Sequence, residues 1–198
     1  SYLKRNPNIL QAWEAFAKSQ ENTGQIAEAM ATWQYIGEYF NRLPEAVAHQ
    51  ARLMWRNGQS EEAFSLLLSN QDKVTEKDSY YWEILGELSW ELEQPEYSFL
   101  AYNTLWESRD ANALVVERLI QMMRDKDRAE ETIAIGEEAY TRFNESRWLL
   151  LSMDVANQAG MLTELKRLVK IAMNDEAKFE DSEMYWLLRA QLDIHENK

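Results

Sequence analysis

The chain lacks cysteine and has few prolines, glycines and histidines. Among its 198 residues there are no Cys, 3 Pro, 6 Gly and 2 His. The absence of Cys excludes disulfides, thiol catalysis and zinc sites built on Cys, but it leaves the cellular compartment open. The scarcity of Pro and Gly favours long helices, because both residues interrupt them. No run approaches the roughly 18 apolar residues that a membrane span requires.

Patterns that support catalysis or metal binding are also missing. Neither His49 nor His195 has a Ser or Asp at a spacing typical of a catalytic triad. Adjacent glutamates such as Glu61 and Glu62 diverge by about 100° on a helix, so they fit a solvated surface better than an acid–base pair. We therefore predict a protein that is not an enzyme and that uses no cofactor or metal.

The charge of the chain limits the kinds of partner it suits. The formal net charge is −13. Nucleic acid and anionic membrane surfaces are disfavoured, since both require Lys and Arg at the contact. A basic partner is permitted, although acidity also serves solubility alone.

What the sequence does contain is a repeated helical pattern, clearest between residues 12 and 36. Two stretches with apolar residues at helical spacing flank Gly24, which is suited to a tight turn. The inner positions are Trp13, Phe16, Ala17 and Gln20 on the first helix, and Ala29, Trp33 and Ile36 on the second.

The pattern recurs with a period of 34 residues, from Gly24 to Gly58 and from Ala29 to Ala63. In period and residue types it resembles the tetratricopeptide repeat (TPR). The resemblance implies an all-α superhelical solenoid of about five helix-turn-helix repeats and a trailing helix. The single predicted array has repeats at 8–41, 42–72, 79–108, 111–142 and 144–172, and a partial unit at 184–198. The predicted turns are at Gly24, Gly58, Gln94-Pro95, Lys126-Asp127 and Gly160.

Further expectations concern packing and the ends of the array. Small residues are expected where helices approach closely, and large ones where gaps are filled. The small residues are Ala17, Ala51, Gly86, Gly136 and Ala190, and the large ones are Trp13, Phe16, Trp33 and Trp82. Residues 71–78 and 175–181 are expected to be polar connectors. Residues 1–5 look like the tail of a preceding helix and no signal peptide is recognisable, so we expect a fragment of a longer array.

The TPR resemblance also implies a concave groove lined by the first helix of each repeat. In the second and third repeats the lining positions that we select as candidate binding residues are Arg52, Trp55, Arg56, Tyr80, Glu83, Glu87, Trp90 and Glu91. The same rule selects Gln11, Glu14, Lys18, Glu21 and Asn22 in the first repeat. In the fourth and fifth it selects Leu114, Glu117, Gln121, Arg124 and Asp125, and Arg147, Leu150, Asp154, Asn157 and Gln158.

The third repeat is unusual because Glu83, Glu87 and Glu91 are spaced four residues apart. Like charges at that spacing repel each other on a helix. With Tyr80 and Trp90 on the same side, this ladder could bind a basic peptide, or stack on a sugar while the carboxylates meet amines. The alternative is a solvated helix face with Trp90 packed against the next repeat. The Lys/Asn/Arg clamp of TPRs that bind acidic chaperone tails is absent.

A second resemblance covers about Leu105 to Leu192. The run EAYTRFNESRWLLLSMDVANQAGMLTELKRLVKIA, followed by EMYWLLRAQL, resembles the periplasmic TPR scaffold of Pel-type exopolysaccharide export porins. Cellulose and poly-N-acetylglucosamine export porins also carry periplasmic TPRs. This resemblance implies a periplasmic scaffold in an outer-membrane protein that binds a polysaccharide deacetylase and hydrolase and guides a partly cationic polysaccharide. The alternative is a cytosolic TPR adaptor that binds a peptide or helix of a partner protein.

Overall fold

The computed structural model describes residues 8–125 and 128–196, and within these ranges the chain is all-helical. This confirms the predicted fold class and the repeat count, with five helical hairpins and a trailing helix. The helices are α1 (Leu10–Asn22), α2 (Ile26–Tyr39), α3 (Leu43–Arg56), α4 (Ser60–Leu68), α5 (Ser79–Glu91), α6 (Pro95–Glu107), α7 (Ala113–Asp125), α8 (Ala129–Phe143), α9 (Ser146–Gln158), α10 (Leu162–Met173) and α11 (Glu183–Glu196). Short 3₁₀ turns lie at Gln71–Lys73 and Glu176–Lys178.

The helix starts follow local rules that are readable in the sequence. Pro44 and Pro95 lie in the first turn of α3 and α6, where a missing backbone N–H is harmless. Acidic residues occupy the first turn of α2, α3, α4, α6, α8 and α10, where they interact favourably with the helix dipole.

The chain divides into two compact units, unit 1 (residues 1–111) and unit 2 (residues 112–198). In unit 1 each helix packs against the next along the chain, and α3 also packs against α5. Trp33, Ile36 and Leu53 are fully buried in the first hairpins of unit 1. In unit 2 the core gathers Leu149, Met153 and other apolar residues of α8 to α11. Each unit thus has its own buried core.

Three predicted turns are confirmed at glycines. Gly24, Gly58 and Gly160 have φ of +75°, +81° and +68°, a left-handed conformation that glycine adopts without steric cost. The third turn lies one residue earlier than predicted: Glu93 takes the left-handed conformation with φ of 53°, and Pro95 is the first residue of α6. The predicted turn at 126–127 and the predicted helical tail at 1–5 lie outside the described residues.

Helices approach closely at Gly86 and Gly136, as expected. A Cβ on Gly86 would lie 2.5 Å from the Tyr102 ring on α6, and one on Gly136 would lie 2.2 Å from Oγ of Ser152 on α9. Ala17 and Ala51 are fully buried, and Trp82 is 7% exposed.

Three packing expectations are wrong. Phe16 was expected in a gap between helices, yet it is 43% exposed. Ala190 is exposed on α11 instead of lying at a close helix contact. Phe179 falls in a predicted polar connector but is fully buried, with its ring centroid 5.6 Å from that of Tyr185.

Candidate functional site

The first helices of unit 1 bring most of the predicted site residues together. Because α3 packs against α5, Arg52 reaches Tyr80: its Cζ lies 5.9 Å from the centroid of the Tyr80 ring. Glu83 and Glu87 follow Tyr80 along α5 by one and two turns. We call this surface, formed by Arg52, Tyr80, Glu83 and Glu87, the acidic face.

The remaining predicted residues lie around the acidic face in different roles. Nε1 of Trp55 donates a 3.0 Å hydrogen bond to Oε1 of Glu91, which ties α3 to α5. Trp90 is half-buried, and its ring centroid lies 6.2 Å from that of Tyr102 on α6. Arg56 is exposed at the end of α3. Of the three carboxylates in the ladder, Glu91 therefore has a partner.

Glu83 and Glu87 are the unpaired carboxylates of this face. In the part of the chain that the structure describes, neither has a hydrogen bond or an ion pair. Glu83 is half-buried and Glu87 is exposed. Burial raises the pKa of Glu83, and the negative charges of Glu87 and Asp110 raise it further. A nearby cation would stabilise both carboxylates by removing this repulsion.

A buried polar network lies beside the acidic face. The Glu21 side chain, 5% exposed, accepts a 2.6 Å hydrogen bond from Nε1 of Trp33 and a 2.9 Å hydrogen bond from a terminal nitrogen of Arg52. The ring of His49 stacks on that of Trp33, with 3.6 Å between centroids and 5° between planes. The ring of Tyr80 lies 4.6 Å from that of His49. The network fixes the Arg52 guanidinium between Glu21 and Tyr80.

The environment sets the protonation of this network. Burial lowers the pKa of His49 to about 3, helped by the positive charges of Arg52 and Lys18, so the imidazole is neutral at pH 7. Burial raises the pKa of Tyr80 to about 12, so its hydroxyl keeps its proton.

The sequence did not assign His49 a role in this network. Glu21 and Arg52 were predicted groove positions, but their pairing was not foreseen. The only available signal is their separation of 31 residues, close to one repeat period. Such a spacing places residues on neighbouring first helices without showing which side chains meet.

The predicted groove residues of unit 2 form pairs with one another instead. Arg147 on α9 contacts Glu117 on α7 and also Glu145. Arg124 on α7 lies 3.4 Å from Asp154 and donates a 3.1 Å hydrogen bond to Gln158, both on α9. Cations therefore already pair with Glu117 and Asp154, and the acidic face of unit 1 is the stronger candidate.

Neither a metal-binding cluster nor a membrane-spanning helix occurs among the described residues. Among the side chains that the structure describes, no three of His, Asp or Glu lie close enough together to hold a metal ion. Among the helices described, none is long and apolar enough to cross a membrane.

Successive helical hairpins, with candidate binding residues on the first helix of each hairpin, define a helical-repeat protein. A family model for the tetratricopeptide repeat matches residues 34–198, and the chain belongs to this family. The family supports a protein-interaction scaffold with protein partners.

Solved structures agree with this assignment. YrrB, described as a TPR protein with an unusual peptide-binding site, has a TM-score of 0.59 at 10% identity, with 96% of each chain covered. MamA has a TM-score of 0.57 at 12% identity, covering 88% of this chain and 95% of MamA. PilF of Pseudomonas aeruginosa has a TM-score of 0.55 at 16% identity, covering 96% and 85%. At these identities the likeness shows the fold alone. No curated protein matches the chain in sequence.

Proposed function

We propose that the chain is a non-enzymatic scaffold that binds a basic partner through the acidic face of unit 1. The observation that carries this proposal is the pair Glu83 and Glu87. One carboxylate is half-buried, both lack a cation, and they repel each other. A structural helix gains nothing from such repulsion, whereas a bound ammonium or guanidinium group would relieve it.

We place this scaffold in a bacterial exopolysaccharide modification and export complex, within the periplasmic part of an outer-membrane protein. The resemblance over about Leu105 to Leu192 supports this setting, as does an acidic chain that suits a partly cationic polymer. The partner would be a polymer-modifying enzyme, a deacetylase and hydrolase, with the polymer as a second ligand.

The alternative is a cytosolic adaptor that binds a peptide or helix of a partner protein. YrrB, which has a similar fold, is described as having a peptide-binding site. This likeness in fold supports the alternative. The full-length reading frame separates the two settings. An upstream signal peptide and a downstream β-barrel would support the periplasmic scaffold, and their absence would favour the adaptor.

The binding test reverses the charge of the acidic pair. The double variant Glu83→Lys/Glu87→Lys should lose most affinity for cationic probes, both a trilysine peptide and a glucosamine oligomer. Binding of the parent chain should weaken as salt rises, because exposed charges are screened over about 10 Å at 0.1 M. Fluorescence anisotropy with labelled probes measures both effects.

The matched control is Glu61→Lys/Glu62→Lys, which makes the same charge change at two exposed positions of α4. Glu61→Lys/Glu62→Lys should keep the helical circular-dichroism signal, since solvated substitutions seldom cost more than about 0.5 kcal/mol. Glu83 is half-buried, so circular dichroism and a urea melt of Glu83→Lys/Glu87→Lys establish that it is folded before its binding is compared. Equal loss of binding in the two variants would mean that net charge alone drives binding. Unchanged binding in Glu83→Lys/Glu87→Lys would exclude the acidic face as the site.

A further inference from the structure

Three neighbouring side chains next to the acidic pair each have a buried polar atom without a hydrogen-bond partner. These atoms are Nδ1 of His49, Nε of Arg52 and the hydroxyl oxygen of Tyr80. The only other such atoms in the described part of the chain are on Trp148 and Gln191, both in unit 2. Buried polar groups are nearly always paired with protein or with water, so three together mark a position where a ligand can supply the partner in place of water.

Packing holds these three groups in place. The His49 side chain is 9% exposed and lies between the rings of Trp33 and Tyr80. Its Nδ1 is 3.7 Å from Oε1 of Glu21, which is too far for a hydrogen bond. Arg52 is anchored to Glu21 through one terminal nitrogen, which leaves its Nε for another contact. We call His49, Arg52 and Tyr80 the donor pocket.

A ligand can approach the donor pocket from the open side of the helices. The Arg52 side chain is 33% exposed and Tyr80 is half-buried. Tyr80 also borders an open depression of about 220 Å³ between the starts of α3 and α5.

The chemistry of the donor pocket selects an oxygen acceptor. Nε of Arg52 can only donate, and the protonated Tyr80 hydroxyl also donates. A neutral imidazole has one N–H and one acceptor nitrogen, so His49 adds a donor in the tautomer with the proton on Nδ1. A carbonyl oxygen of a ligand can accept hydrogen bonds from these donors. Glu83, one turn further along α5, can form an ion pair with a cation on the same ligand.

Peptides combine these two groups more readily than amino sugars do. In a Lys- or Arg-containing segment, every basic side chain has backbone carbonyls beside it. An amino-sugar unit carries either a free amine or an acetamide carbonyl, because the carbonyl is formed on that same nitrogen. A partly cationic polymer therefore supplies both groups only from different units, whereas each Lys or Arg residue of a peptide carries both. The combination of donor pocket and acidic pair therefore favours a peptide.

We propose that the donor pocket binds a backbone carbonyl of a Lys- or Arg-containing segment of a protein partner, while its cation lies on Glu83 and Glu87. This inference rests on the proposed function of the acidic face and adds the class of ligand. Tyr80 and Arg52 are then binding residues, and Glu21 is a positioning residue that orients Arg52.

The experiment is an NMR titration of the full chain with three probes. N-acetyl-lysine N-methylamide carries a cation and two carbonyls, n-butylammonium carries the cation alone, and a glucosamine trimer represents the polysaccharide. The indole N–H signals of Trp33 and Trp55 and the imidazole signals of His49 report binding. In the parent chain we expect the lysine amide to bind at least about fivefold more tightly than butylammonium.

The variants separate the donor pocket from the acidic pair. Tyr80→Phe removes one hydroxyl and should lower lysine-amide affinity to that of butylammonium, without changing butylammonium binding. Glu83→Gln/Glu87→Gln should weaken both probes. Tyr97→Phe, which removes a hydroxyl from half-buried Tyr97 on α6, is the matched control and should bind all probes as the parent does.

Each contrary outcome identifies which proposal fails. If Tyr80→Phe binds the lysine amide as the parent does, while Glu83→Gln/Glu87→Gln binds it weakly, the donor pocket is wrong and the acidic face stands. If Glu83→Gln/Glu87→Gln binds both cations normally, the proposed function is wrong. A glucosamine trimer that binds more tightly than the lysine amide and requires Tyr80 would replace the peptide with a sugar.

Discussion

The imidazole of His49 lies between two aromatic rings and beside two cationic side chains. Burial, Arg52 and Lys18 disfavour its protonated form and lower its pKa to about 3 from its ordinary value of 6.5. They outweigh the Glu21 carboxylate, whose Oε1 lies 3.7 Å from Nδ1. The unfolded chain, in contrast, protonates this residue at an ordinary pKa. Protonation therefore acts against folding between these two pKa values.

Stability should consequently fall as the pH is lowered. Between about pH 6.5 and pH 3 the unfolded state binds one proton more than the native state at this residue. The free energy of unfolding should then drop by up to about 1.4 kcal/mol per pH unit, in addition to the effect of carboxylates. Urea denaturation of the parent and of His49→Gln across this range measures the difference in slope.

Gln50→Asn, at the next position along α3, provides the control for that measurement, since neither the Gln nor the Asn side chain titrates. We expect its pH slope to match that of the parent. A His49→Gln variant with the same slope as the parent would show that His49 does not contribute to the acid sensitivity.

Gly86 shows how a single missing side chain permits a helix contact. Its Cα faces the fully buried Tyr102 ring and the methyl group of Ala101. Gly86→Leu should destabilise the protein by about 1–3 kcal/mol, because the added atoms overpack the contact between α5 and α6. Ala190→Leu, at an exposed helical position, should cost less than about 0.5 kcal/mol. Equal urea midpoints for these two variants would contradict the close approach at Gly86.

At the scale of the helix, several helices end with the same hydrogen-bond pattern at their C-terminus. A backbone N–H reaches the carbonyl five residues earlier after α1, α3, α5 and α9, at Gln25, Gln59, Gln94 and Met161. The residue before each is left-handed, as in the Schellman motif. Three of these four positions hold glycine, but the third holds Glu93. The same arrangement ends α2 and α6, with Asn41 and Arg109 at the left-handed position.

Glu93 should therefore be a strained helix end. A residue with a Cβ in this conformation costs about 1–2 kcal/mol, partly offset by the greater freedom of glycine in the unfolded chain. Glu93→Gly should thus stabilise the protein by about 0.5–1 kcal/mol. The control Glu96→Gly places glycine within α6 and should destabilise by roughly the same amount. Thermal melts of both variants test this, and destabilisation by Glu93→Gly would refute the assigned backbone.

The element that carries the acidic face combines two opposite roles. One side of α5 carries Trp82, Leu85 and Gly86 into the core. The other side presents Glu83 and Glu87 without partners. Helical periodicity predicted both sides, since residues three and four apart share a face. It did not predict that Glu91 would accept a hydrogen bond from Trp55, because that contact depends on how α3 is positioned along α5.

At the scale of the whole molecule, each compact unit has its own core. Repeat proteins gain stability mainly from contacts between adjacent elements, so a core substitution should act locally. Trp82→Ala removes a buried side chain whose Nε1 donates to the carbonyl of Thr75, and it should cost about 3–5 kcal/mol.

Hydrogen exchange should reveal the extent of that effect. In Trp82→Ala we expect faster exchange for amides of α5 and α6, while amides of α9 to α11 keep their protection. Met153→Ala, in the core of unit 2, should give the reverse pattern. Uniform acceleration across the chain in both variants would show that the two units unfold as one.

The amino-acid sequence by itself determined the helical repeat. The 34-residue period, the glycine turns, the buried face with Trp33 and the close contact at Gly86 follow from local periodicity. Such features depend on residues near in sequence, where helix geometry fixes which side chains share a face.

Only the tertiary structure decided which polar side chains meet. It paired Glu21 with Arg52, placed Arg124 near Asp154, buried His49 and Phe179, and left Glu83 and Glu87 without a cation. It also exposed Phe16, which the repeat pattern had placed inside. These outcomes depend on the rotation and height of a neighbouring helix, and a shift of one residue there changes every partner.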